Sequence, residues 1–272
     1  MAEIATLDTT ILNAPTAHQN VPLADAIATG RLDLVKLLIE HGAEPHHCNH
    51  GGHSLLDGAA FSGQVEIARY LISLGMEPTV HHAAAIGNIS LLERMLTADS
   101  ALLGPTVAGG RWRMTPLHAA ALAANVEAVE YLLSIDAPVE AENHNGHTAL
   151  ALMVESLLRE FRLPMAKRLL SHGANVNSLA GHHGGTVLHR AVMDGDHSLA
   201  HLLLENGADP NRQDWSGKTA LHHAVARNRK LVELLVEYSP DLEIASRDGE
   251  TAVQLAKRLK QQAIIRMIEH IM

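Results

Sequence analysis

One short phrase keeps returning along this chain, and its return limits the folds available to it. The phrase reads VPLADAIATG from Val21, SLLDGAAFSG from Ser54, TPLHAAALAA from Thr115, TALALM from Thr148, TVLHRAVMDG from Thr186, TALHHAVARN from Thr219 and TAVQLAKRLK from Thr251. Val21 to Ser54, Thr115 to Thr148 and Thr186 to Thr219 are steps of 33 residues each. Every copy leads into a second apolar stretch, such as LVKLLIEHGAEP from Leu34, AKRLLSHGANVN from Ala166 and LAHLLLENGADPN from Leu199. A weaker copy, PTVHHAAAIGNISLLERML, begins at Pro78. Units of this length cannot bury an apolar face alone, so they must stack on their neighbours.

Within a unit the residue types dictate a pair of helices. Leu117, Ala120 and Ala121 recur at helical spacing, and the small alanines let a first helix lie close to its neighbours. Val129, Leu132 and Leu133 give the second helix its larger apolar residues. Gly173 and Gly207 follow second helices, where a left-handed cap is wanted, and the clusters from Asn143 to Gly146 and from Asp214 to Gly217 are turn formers that would protrude as fingers.

The phrase resembles the T-P-L-H-x-A motif of the ankyrin-repeat family, whose period is also 33 residues. The likeness runs from about Val21 to Ile268. It implies an all-α solenoid of about eight helical hairpins with short β-hairpin-like fingers, an extension over 1–20 and a single array over 21–272. The last copy would cap the array, since Gln254, Lys257, Arg258, Lys260, Gln261 and Gln262 put polar residues where an inner repeat is apolar. The resemblance further implies that His118, His189 and His222, and with them His81, link one repeat to the next through hydrogen bonds.

Three steps break the period. Ser54 to Pro78 is only 24 residues, which leaves no room for a finger. Pro78 to Thr115 is 37, enlarged by the Gly-rich ADSALLGPTVAGGRWRM. Thr148 to Thr186 is 38, and LLREFRLPMAK lengthens the connection between the two helices, away from the finger edge.

Composition narrows the function. Hydrophobic residues make up 47% of the chain but aromatics only 3%, which suits close-packed helices better than a sandwich or barrel. A formal net charge of −9 argues against nucleic acid, because phosphate backbones call for an excess of Lys and Arg. No apolar run reaches membrane-spanning length, the N-terminus lacks a leader pattern, and the one cysteine, Cys48, fits a reducing compartment; the expectation is a cytoplasmic protein without a membrane partner.

In ankyrin proteins partners meet the finger tips and the exposed positions of first helices, so the resemblance implies a protein-protein interaction module that uses its concave finger and first-helix groove. Carried onto this chain, the binding candidates are Arg111, Trp112, Arg113, His144, His147, Trp215, Lys218 and His223, facing an acidic or apolar partner segment. Both tryptophans fall in fingers, where aromatic and Arg anchors concentrate binding energy, unless each folds back on its own finger. Histidine is abundant, at 20 residues. His144, His147, His182, His183 and Arg190 would converge on one groove and could serve acid–base chemistry or a small molecule. His46, His47, Cys48, His50 and His53 could ligate a metal, or form a polar finger that happens to be His-rich. No nucleophile in a recognisable setting, phosphate loop or carboxylate pair accompanies them, so binding is favoured over catalysis and no cofactor is expected.

Overall fold

The computed structural model describes residues 12–14, 21–46, 53–105, 113–156, 158–181 and 183–269, which form eight helix pairs in two compact units, Met1–Pro138 and Val139–Met272. The first unit holds α1 (Pro22–Ala28) with α2 (Leu32–Glu40), α3 (Leu55–Phe61) with α4 (Val65–Ser73), α5 (Val80–Ala85) with α6 (Ile89–Ala98), and α7 (Pro116–Leu122) with α8 (Val126–Ser134). The second holds α9 (Ala149–Met153) with α10 (Arg162–Ser171), the antiparallel β1 (Leu179–Ala180) and β2 (Gly185–Thr186), α11 (Val187–Asp194) with α12 (His197–Glu205), α13 (Ala220–Arg227) with α14 (Arg229–Glu237), and α15 (Ala252–Arg258) with α16 (Gln262–Glu269). The chain is mostly helical, with the paired helices that the repeated phrase predicts.

Threonine starts the first helices from α5 onward. Thr115, Thr186, Thr219 and Thr251 hold reciprocal capping boxes with the residue three positions on, so orphan amides at the helix start find acceptors. Behind the caps the alanines close up: Leu117, Ala119, Ala120 and Ala121 are wholly buried, as are Val129 and Leu132 of the second helix. Gly173 and Gly207 adopt φ of 87° and 85° directly after α10 and α12, the left-handed turn that releases the chain toward the next finger.

Histidine in the third helical position does two jobs at once. In α11, His189 Nδ1 accepts from the Thr186 amide at 3.1 Å while Nε2 donates to the Lys218 carbonyl of the following repeat at 3.1 Å. His222 repeats the pattern with Thr219 and Glu250, at 3.2 and 3.0 Å. These partners fix the neutral tautomer with its proton on Nε2. Burial presses the His81, His189 and His222 pKa values below the ordinary imidazole range.

The weak copy divides this work. Thr79 caps α5 and pairs with His82, whose Nδ1 accepts from the Thr79 amide at 3.0 Å, so the motif slot is His82. His82 Nε2 turns instead to Asp57 at 2.8 Å. His81, one residue earlier, reaches the Met114 carbonyl at 2.8 Å and so makes the link to the next repeat. Between α4 and α5 only residues 74–79 intervene, and no finger forms there.

Candidate functional site

In the second unit the fingers are joined by main-chain bonds. The Trp215 amide donates to the His183 carbonyl at 2.9 Å, and the Arg247 amide to Ser216 at 2.9 Å. Trp215 lies across the preceding finger rather than its own: a Cβ at Gly184 would run into the indole ring. Even so, 63% of the tryptophan remains exposed, and His183 beside it is exposed as well.

Behind these tips lies a cavity of about 280 Å³, walled by Glu155, His183, His189, Arg190, Met193 and Asp214 among others. Its origin can be traced to the repeat that starts at Thr148. That repeat carries Ala151 where the repeats on either side of it in the chain carry His118 and His189, so it has no imidazole at this position to reach toward the next finger. Its first helix is also short, 5 residues against 8 in α11, because the chain leaves after Val154 into the long helix-to-helix connection.

That connection holds the second cluster. Arg162, 2% exposed, places Nη1 at 2.7 Å from Asp194 Oδ2 and Nη2 on the Val154 and Ser156 carbonyls. Arg190 Nε meets the same Asp194 oxygen at 3.0 Å, and Arg159 Nη2 approaches Oδ1 at 3.3 Å. Burial would raise the Asp194 pKa, but the Arg162 and Arg190 donors outweigh it and hold the carboxyl below its ordinary range. The start of α10 packs against the C-terminal end of α11, where Arg162 is buried, while Arg159 of the connection is exposed.

Asp214 is likewise satisfied. Oδ1 accepts from the Ser216 amide and hydroxyl at 2.8 and 2.7 Å and from the Lys218 amide at 3.0 Å, while Oδ2 accepts from His223 Nε2 at 2.8 Å. Burial opposes the charge, yet donation from Ser216, His223 and Lys218 brings the pKa to about 2. Glu155 differs: its Oε1 is buried without a hydrogen-bond donor, and the nearest basic atom is His147 Nδ1 at 3.6 Å.

The residues singled out in the sequence are scattered by these facts. His183 and Arg190 line the cavity, and Trp215 and His223 flank Asp214. Lys218 is half-buried and its backbone carbonyl receives His189. His144 is exposed on the turn from Asn143 to Gly146, whereas His147 is 4% exposed and cannot present its ring to a partner, because its segment folds inward against Asn143. Arg113 is exposed, in a left-handed conformation with φ of 46°. His46 is exposed and His53 half-buried. Arg111, Trp112, His47, Cys48, His50 and His182 lie outside the described residues. Among the described residues no group of three or more His, Cys, Asp or Glu side chains is disposed to hold a metal ion.

Sequence reasoning passes over Glu155 and Arg162, and it reads Asp194 only as an exposed first-helix position and Asp214 only as part of a turn. The signal for Glu155 and Arg162 was available: an alanine in the histidine slot and a 38-residue step in the same repeat.

Family models described as ankyrin repeats match residues 80–180, 142–214 and 188–270, and a second ankyrin-repeat model matches 23–72. The human ankyrin repeat and SOCS box protein 16 is 31% identical over 222 residues, 78% of this chain and 48% of that protein. The E3 ubiquitin-protein ligase KEG of Arabidopsis thaliana is 26% identical over 253 residues, 86% of this chain and 16% of that protein. The chain therefore spans less than half the length of either relative. Among solved structures, a chain from the complex of the Bd0816 predatory endopeptidase of Bdellovibrio bacteriovorus with the immunity protein Bd3460 matches with a TM-score of 0.59 and 26% identity, covering 71% of this chain and 98% of that one.

Proposed function

The chain belongs to the ankyrin-repeat family, a family of protein-protein interaction modules, and from that premise we propose that it holds a protein partner in the concave groove formed by its fingers and first helices. The observation that carries this reading is Trp215. A large aromatic ring, 63% exposed, is braced on Gly184 at a finger tip, next in the chain to Asp214, which lines a cavity floored by first-helix residues. Rigid aromatic surface beside a pocket is the composition of a binding hot spot. Within the second unit the exposed His183 and His144 add polar groups on their own fingers. No helix among the described residues is long and apolar enough to cross a membrane, and the lone Cys48 suits a reducing, cytoplasmic setting.

The match over 98% of a chain from an endopeptidase–immunity protein complex supports one form of this reading, in which the partner is an enzyme held by the array. Acid–base or metal chemistry by a His-lined groove is supported less well: His147 is buried and His189 is committed to the helix cap and to Lys218.

Capture of the partner from cell extract and its titration against Trp215→Ala tests the proposal. Affinity should fall by about thirtyfold, near 2 kcal/mol, with the helical circular dichroism intact. Unchanged affinity would move the site away from this finger edge.

A further inference from the structure

We infer that the cavity behind Trp215 is a seat for a basic side chain, lysine or arginine, of the protein partner, with Glu155 as its counter-charge. The inference rests on the reading that this finger and first-helix face holds a protein.

The charged and titratable groups that face the cavity come from four segments, and those on two of them are already matched by hydrogen bonds. On α11, Arg190 spends its Nε on Asp194, which Arg162 and Arg159 also approach, and His189 is neutral between Thr186 and the Lys218 carbonyl. On the finger before α13, Asp214 accepts from Ser216, from the Lys218 amide and from His223. On the β1–β2 finger, His183 is exposed and free to turn to solvent.

Glu155, at the truncated end of α9, is the exception. Its Oε1 is buried with no hydrogen-bond donor and has only the His147 imidazole 3.6 Å away, its side chain as a whole is 29% exposed, and the residue lines the cavity. A carboxylate partly withdrawn from water with one oxygen lacking a hydrogen-bond donor is costly, so a cation that enters beside its exposed part offsets some of that cost. Ala180 and Met193 give apolar wall for the alkyl stem of a lysine or arginine, whose charged head can reach past it. An acidic side chain in the same place would meet Glu155 and Asp214, both carboxylates, while the cation nearest to it is shared with Asp194. The chain's formal charge of −9 adds long-range attraction for a basic partner. The acidic or apolar partner segment expected of the Arg- and Trp-bearing fingers is a separate contact from the basic side chain assigned to this pocket.

The test uses the full chain, labelled with nitrogen-15, titrated with three capped amino acids: the N-acetyl, N-methylamide forms of arginine, norleucine and glutamate. Arginine should give saturable amide shifts at Glu155, Gly181, Gly185 and Arg190, with norleucine at least about tenfold weaker, as expected if the charge and not the stem is recognised. Glu155→Gln, which keeps shape and removes charge, should abolish the arginine response while the rest of the spectrum is retained; Glu155→Lys should do the same. Binding of glutamate equal to or tighter than arginine would overturn the inference. So would an arginine response unchanged in Glu155→Gln. A captured partner that loses affinity with Trp215→Ala but not with Glu155→Gln would refute this pocket and leave the groove reading standing, whereas arginine binding without any Trp215-dependent partner would do the reverse.

Discussion

In α11 and α13 a single imidazole closes the helix start and bonds the next repeat, whereas in α9 the equivalent residue is Ala151 and the helix stops after 5 residues. The regular repeats leave their polar groups paired. The irregular one leaves Glu155 Oε1 and Arg162 Nε without partners, and a cavity opens beside it. The contrast teaches that stability in this unit comes from the repeated phrase, while chemistry available to a partner collects where the phrase fails.

The contrast breaks first at Arg162. Arg162→Ala would strip the closest donor from Asp194 and leave the Val154 and Ser156 carbonyls unpaired, so the urea unfolding free energy should drop by about 3 kcal/mol. A loss under about 1 kcal/mol would mean that Arg159 and Arg190 suffice and that the connection is a passive loop.

A smaller effect is expected in the regular repeats. His222→Ala should cost about 1 to 3 kcal/mol by removing both a cap and an inter-repeat bond. The same residues set a pH dependence whose sign is fixed. Burial lowers the folded pKa of His81, His189 and His222 below the unfolded value of about 6.5, so on acidification the unfolded chain takes up protons that the folded chain refuses. Their contribution is fully present above that unfolded value and is lost as pH falls below it toward the depressed folded values. Denaturant midpoints at neutral and mildly acid pH should therefore differ, and His222→Ala should shrink the difference; an identical pH slope in the variant would show that other groups govern it.

The smallest effect sharpens the comparison from the outside. His144, exposed on its turn, should tolerate alanine within about 0.5 kcal/mol. Destabilisation equal to that of His222→Ala would erase the distinction between structural and surface histidines.

The repeat period made the helix pairs readable from residues alone, because Thr115, Thr186 and Thr219 mark helix starts and the alanines behind them mark the close face. Where two histidines adjoin, the phrase alone could not say which takes the cap: His82 does, since only the third helical position brings a side chain back over the Thr79 amide. The site was less legible. His147 has the residue type of a groove ligand but sits one position before Thr148, where the chain turns inward, and burial follows from that turn and not from the residue. Glu155 carries no motif, and its setting depends on an absence at Ala151 together with a length change nearby.

The bonds from Trp215 to His183 and from Arg247 to Ser216 give the fingers a mechanical property. Trp215 and Ser216 are adjacent, so a pull on the indole acts on a main chain that is hung from one neighbouring finger and supports the next. Load taken at this tip is shared through peptide groups, independent of which side chains the fingers display, so the displayed residues can change while the strap that carries tension does not.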